Sequence, residues 1–107
     1  MNSICSVDIG SIASGLGSRK LGMGARDVLL DLLEHNGVVE IDFHHRSFTP
    51  SFADGCLGQL AARMGLADFK RRVKLLNTDE ATRPLIRHVV LTRCAQASSQ
   101  VDEGQHA

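Results

Sequence analysis

A chain of 107 residues has room for one domain, because a second core would need roughly 50 residues of its own. Twelve Lys and Arg balance twelve Asp and Glu, so no net field draws the chain towards nucleic acid or an anionic membrane, and neither is an expected partner. Hydrophobic residues make up 43% of the chain but aromatics only 4%, with no Trp and no Tyr, so the core must be Leu, Val, Ile and Ala, as where helices pack on a sheet. Cys5, Cys56 and Cys94 lie far apart, at neither metal-ligand nor disulfide-framework spacing. No stretch approaches the ~20 apolar residues that cross a bilayer, and the first ten residues lack a basic region followed by an apolar run. A cytoplasmic protein with reduced thiols is the expectation.

In chain order, Ile4, Val7 and Ile9 predict a short strand over residues 4–9, followed by a Gly/Ser loop from Gly10 to Gly17. Ser18 is a helix cap, and Leu21, Ala25, Val28, Leu29, Leu32 and Leu33 recur at three-to-four spacing behind it, with Asn36-Gly37 as the stop. Gly22 and Gly24 each cost this helix about 1 kcal/mol relative to Ala, which suits close packing or fraying. Val38 to Phe43 reads as a buried central strand. Pro50 then fixes the start of a helix that places Phe52, Cys56, Leu57, Leu60, Ala61 and Met64 on one face and ends at Gly65. Val73 to Asn77 is another strand, and residues 82–97 a helix with Pro84 in its first turn and Leu85, Ile86, Val89, Val90 and Cys94 inward. The tail, residues 98–107, carries too little apolar surface to offset the entropy of ordering it and is expected to be disordered. Strands alternating with helices give one α/β domain over residues 1–97, with a mainly parallel sheet of three to five strands and about three main helices.

Cys56 stands early in its helix, where dipole and free N–H groups can lower a thiol pKa. The arginine that a phosphatase loop requires five residues later is missing, Arg63 standing too late, and Cys56 lies on the apolar stripe, which points to a buried structural thiol. His44-His45 with Asp42 cannot complete a metal tetrahedron, since adjacent residues of an extended chain face opposite ways. Gly15, Gly17, Gly22 and Gly24 match neither phosphate-loop pattern. Lys70-Arg71-Arg72 reads as a solvated edge. No catalytic residue, metal or cofactor is expected. Ser51-Phe52-Ala53-Asp54 has capping-box spacing, with Ser51 at the N-cap and Asp54 three residues on; a hydroxyl there is also a place for a phosphorylation switch.

The segments Ser18-Arg19-x-x-Gly22, Val39-x-Ile41-Asp42-Phe43, Phe48-x-x-Ser51-Phe52-Ala53-Asp54 and Val73-x-Leu75-x-Asn77 together resemble the STAS-like family of unknown function over about residues 18–95. Where that family continues with an acidic residue after its SFAD-type motif, this chain has Gly55. The broader STAS domains, which include anti-sigma factor antagonists, carry a phosphorylated serine at a helix start, and laid from Asp42 it falls on Ser51. Pro50, Phe52 and Ala53 depart from the residues around that serine. The resemblance implies a regulatory module that docks on a histidine-kinase-like ATPase through Phe48, Thr49, Ser51, Phe52, Asp54 and Gly55, with Ser51 as the phosphorylation candidate. The competing expectations are a small thiol-dependent hydrolase or phosphatase using Cys56 with His44 or His45, and a homodimer assembled through a sheet edge.

Overall fold

A computed structural model of the chain describes the backbone of residues 3–106 and the side chains of residues 3–97. Three parallel strands, β1 (Ile4–Asp8), β2 (Val38–Asp42) and β3 (Val73–Leu76), lie in the order β1-β2-β3, so β2 is central. Their register aligns Cys5, Val39 and Val73 in one row and Val7, Ile41 and Leu75 in the next. These rows form the inner face, on which Val39 and Ile41 are fully buried. The opposite rows carry Ser6, Glu40 and Lys74, and the Ser6 hydroxyl donates to Glu40 Oε1 at 2.7 Å. β2 therefore alternates between buried and half-buried residues. β2 is the central strand, as expected, but the expectation that it is buried holds for its inner face only.

Helices α1 (Ile9–Ile12), α2 (Arg19–His35), α3 (Pro50–Ala53), α4 (Gln59–Met64), α5 (Leu66–Arg72) and α6 (Arg83–His106) make up the second layer. A π-helical turn, Asp54–Gly58, fuses α3 to α4, so Pro50 to Met64 runs as one rod. That rod lies between α2 and α6 and is almost entirely apolar on its flanks: Phe52, Ala53, Cys56, Leu57, Leu60 and Ala61 are all within 1% of full burial. Glycines set the distance to both neighbours. A Cβ on Gly22 of α2 would stand 2.4 Å from the Phe52 carbonyl oxygen, and one on Gly58 3.1 Å from the Val89 carbonyl oxygen of α6. No polar or charged residue is buried among the described residues, so cohesion comes from this aliphatic interior.

The three main predicted helices are present, with α1 and α5 as shorter additions. Ser18 caps α2 as expected, its hydroxyl accepting from the Leu21 N–H at 3.1 Å. Val28 was expected inward and is 39% exposed instead, because Leu29 and Leu33 complete the buried stripe without it. The cap of α3 is Thr49, whose Oγ1 accepts from the Phe52 N–H at 3.1 Å; Ser51 is the second helical residue, and the capping box at Ser51 is corrected. Pro50 explains the shift, since a proline suits the first helical position and leaves the preceding residue extended. The basic run is a solvated edge at Lys70 and Arg71, both exposed, and is corrected at Arg72 alone. Arg72 turns inward and its guanidinium donates to the carbonyls of Leu33, Asn36 and Gly37, closing the negative C-terminal end of α2. Where a helix ending at residue 97 and a disordered tail over residues 98–107 were the expectation, the backbone of α6 continues as helix to His106, while the side chains beyond residue 97 lie outside the described residues.

Candidate functional site

Two loops converge on the start of α3. The loop after β2 is held by the Phe43 N–H donating to the Leu76 carbonyl and the His45 N–H donating to the Asn77 carbonyl. The Thr49 N–H donates to the carbonyl of Leu16, tying the Gly/Ser loop to the same place. Phe43, Phe48 and Phe52 stack in sequence, with ring centroids 5.4 Å and 6.3 Å apart, a spacing typical of tilted aromatic pairs. This stack anchors the helix start from beneath.

Of the expected docking residues, Phe52 and Gly55 are buried, Phe48 is a half-buried member of the aromatic stack, and Thr49 is a half-buried cap. Ser51 is half-buried and lines an open groove of about 350 Å³ between α3 and α6, which Arg19, His88 and Arg93 also line. Asp54 borders the same groove and is tightly engaged. Its carboxylate takes a two-point bond from Arg93, Nε to Oδ1 at 2.6 Å and Nη2 to Oδ2 at 2.7 Å, and accepts from Arg19 Nη2 at 3.1 Å. The Arg93 hydrogen bonds, with Arg19 adding to them, hold its carboxyl below the usual range. Asp54 thus ties α2 to α6 across the central rod. The acid that the resembled family carries next would have no room: a Cβ on Gly55 would lie 2.5 Å from the Arg19 carbonyl oxygen.

Cys56 does not meet His44 or His45 in any hydrogen bond among the described residues. It is fully buried, and burial pushes its thiol up to about 12, opposite to what an activated thiolate needs. The two histidines sit instead at the C-terminal edge of the sheet, both with positive φ. His44 Nε2 lies 3.2 Å from Asp8 Oδ2 and His45 Nδ1 lies 3.2 Å from Asp79 Oδ1. The Asn77 amide, and after it the His44 backbone N–H, lower the Asp42 carboxyl by donating to Oδ1. One turn of α2 gathers Asp31, Glu34 and His35, each with a potential metal-ligand atom within 4.8 Å of the others. All three are exposed, where such groups are ordinarily hydrated.

Residue spacing did not reveal Arg19, His88 and Arg93 as neighbours of Ser51. Arg93 lies 39 positions from its partner Asp54, a separation on which local periodicity is silent. The Thr49 cap did leave a signal, a hydroxyl residue directly before a proline at a helix start.

The fold and this site define a small two-layer α/β module with a parallel sheet and a helix start presented after the central strand. A family profile for the STAS-like domain of unknown function matches residues 25–83, more than half of the chain, and the chain belongs to that family. No curated protein and no solved structure matches. Among the described residues no helix is long and apolar enough to cross a membrane.

Proposed function

We propose that the chain is a non-enzymatic regulatory module that binds a protein partner, such as a histidine-kinase-like ATPase, through the surface around Ser51, and that phosphorylation of Ser51 controls the contact. The observation that carries this reading is the placement of Ser51 in an open groove lined by three basic side chains, Arg19, His88 and Arg93. A phosphate on the Ser51 hydroxyl adds close to two negative charges and competes with Asp54 for Arg19 and Arg93, so modification would reach the α2–α6 tie as well as the docking face. The contact surface is Ser51 with the exposed Pro50, Asp54 at the groove border and the groove side of α6; Phe48, Thr49, Phe52 and Gly55 shape it from beneath. The membership in the STAS-like family supports the same reading, as does the buried, unactivated Cys56 thiol, which removes the best nucleophile from an enzymatic alternative.

The experiment measures binding of wild type, Ser51→Ala and Ser51→Asp to a histidine-kinase-like ATPase from the same organism, with phosphate transfer followed by intact mass. The expected result is one added phosphate on wild type, none on either variant, and binding lost in Ser51→Asp but kept in Ser51→Ala. Equal affinities for all three chains remove Ser51 from the interface, and no binding by wild type rejects this partner class.

A further inference from the structure

A second groove, of about 450 Å³, opens between α5 and α6 beside the end of β3. Its floor is apolar: Phe69, Ile86 and Val90 are 6–8% exposed. At its lip Leu91 is 42% exposed, the one exposed large hydrophobic side chain of α6 among the described residues. Lys70, Arg83 and Arg87 also line it, all exposed, and no carboxylate does. The side chains of these three make no hydrogen bond or ion pair among the described residues, whereas their neighbour Arg71 is held by Asp68 at 2.5 Å. We infer that this groove is a docking site for a segment of a protein partner that carries apolar anchors flanked by carboxylates.

The physical case rests on the combination. An apolar floor with an exposed leucine gains free energy when covered, in proportion to the area removed from water. Covering it also lowers the local dielectric around three cations that have no internal partner, so an occupant without carboxylates would strand them, while one with carboxylates turns the same desolvation into attraction. A neutral apolar peptide fits the floor and wastes the rim; an acidic polar one does the reverse. Only both features together satisfy the groove.

The site is separate from the one around Ser51. Helix α6 turns Leu85, His88, Val89 and Thr92 towards that groove and Arg83, Ile86, Arg87, Val90 and Leu91 towards this one. Two working faces explain why its apolar residues are spread round the helix instead of forming one stripe.

The test is selection of a displayed library of random 16-residue peptides against the full chain, run in parallel on wild type and on Arg83→Glu/Arg87→Glu. Wild type is expected to enrich peptides with Leu, Ile or Phe beside Asp or Glu, and a synthesised winner should perturb the amide resonances of Leu75, Ile86 and Val90. The double reversal should weaken that peptide by at least about tenfold and enrich basic flanks in its own selection. Leu91→Asp, at an exposed position, supplies a second loss-of-binding variant should the double reversal fold poorly. Ser51→Asp should leave peptide affinity unchanged, which separates this site from the proposed function. Enrichment of peptides without acidic residues, resonance changes confined to the Ser51 groove or the bare sheet face, no enrichment at all, or occupation of the groove by a second copy in sedimentation would each overturn the inference.

Discussion

Gly22 and Gly24 stand two residues apart in α2, and the structure assigns opposite signs to the same substitution at the two places. By intrinsic helix propensity, Gly→Ala gains about 1 kcal/mol at either. At Gly24 a Cβ meets nothing within 4 Å, so the full gain is expected. At Gly22 the new Cβ would lie 2.4 Å from the Phe52 carbonyl oxygen, 3.0 Å from the Cys56 nitrogen and 3.2 Å from the Phe52 carbonyl carbon. All three are backbone atoms of a buried rod and cannot rotate aside, so α2 must withdraw by about 1 Å from a close-packed neighbour. Overpacking of a core typically costs 1–3 kcal/mol, and here the cost falls on main chain, at the upper end. Gly22→Ala should therefore lose about 2 kcal/mol net while Gly24→Ala gains up to about 1 kcal/mol. Urea denaturation of the three proteins decides it, read as midpoint shifts at constant slope. A Gly22→Ala protein as stable as wild type would show that α2 and the rod do not touch at this position, and the glycine-spaced packing of the whole helical layer would have to be redrawn.

Thr49→Ala should cost about 1 kcal/mol as the lost N-cap of α3, whereas Ser51→Ala, off the cap, should stay within about 0.5 kcal/mol of wild type; the reverse order in denaturation would restore Ser51 as the cap. Cys56, whose burial pushes its thiol up to about 12, stays protonated at neutral pH, so timed alkylation should modify Cys5 and Cys94 first and reach Cys56 only through unfolding; fast labelling of Cys56 contradicts its burial. The folded-state pKa of Asp54 lies below the usual 3.8, so its contribution to stability is complete above about pH 4 and is lost as pH falls through the folded value. Asp54→Asn should cost about 1–2 kcal/mol at neutral pH, and its deficit relative to wild type should shrink in the acid range below 3.8; a deficit that does not change with pH would mean that the charge of Asp54 plays no part.

The elements were legible where one local signal sufficed. Hydrophobic spacing between the Ser18 cap and the Asn36-Gly37 stop delimited α2, whose observed span is Arg19–His35, and short apolar runs between breakers located all three strands. Such signals lie within a few residues of each other, and backbone geometry translates them directly into periodicity. The resemblance to the STAS-like family rested on equally local motifs, and the match over residues 25–83 bears it out. Cys56 was readable as buried for the same reason, its place on the apolar stripe of its helix.

What composition and spacing left open was every property that depends on two distant segments meeting. The capping-box spacing at Ser51 was real, but Pro50 pins the first helical position and hands the cap to Thr49, and the released Asp54 then answers to Arg19 and Arg93, 35 and 39 residues away. Arg72 looked solvated beside Lys70 and Arg71 until the fold brought the open carbonyls at the end of α2 against it. Gly55 read as a departure from a motif; only its contact with the Arg19 backbone shows why no side chain fits there. The amino-acid sequence by itself settled which residues could be helix, strand and core, because those choices follow from near neighbours and from water. Which polar group meets which, and how close two helices come, was decided by tertiary packing, because a charge or a missing Cβ acquires its energy only from what the folded chain places beside it.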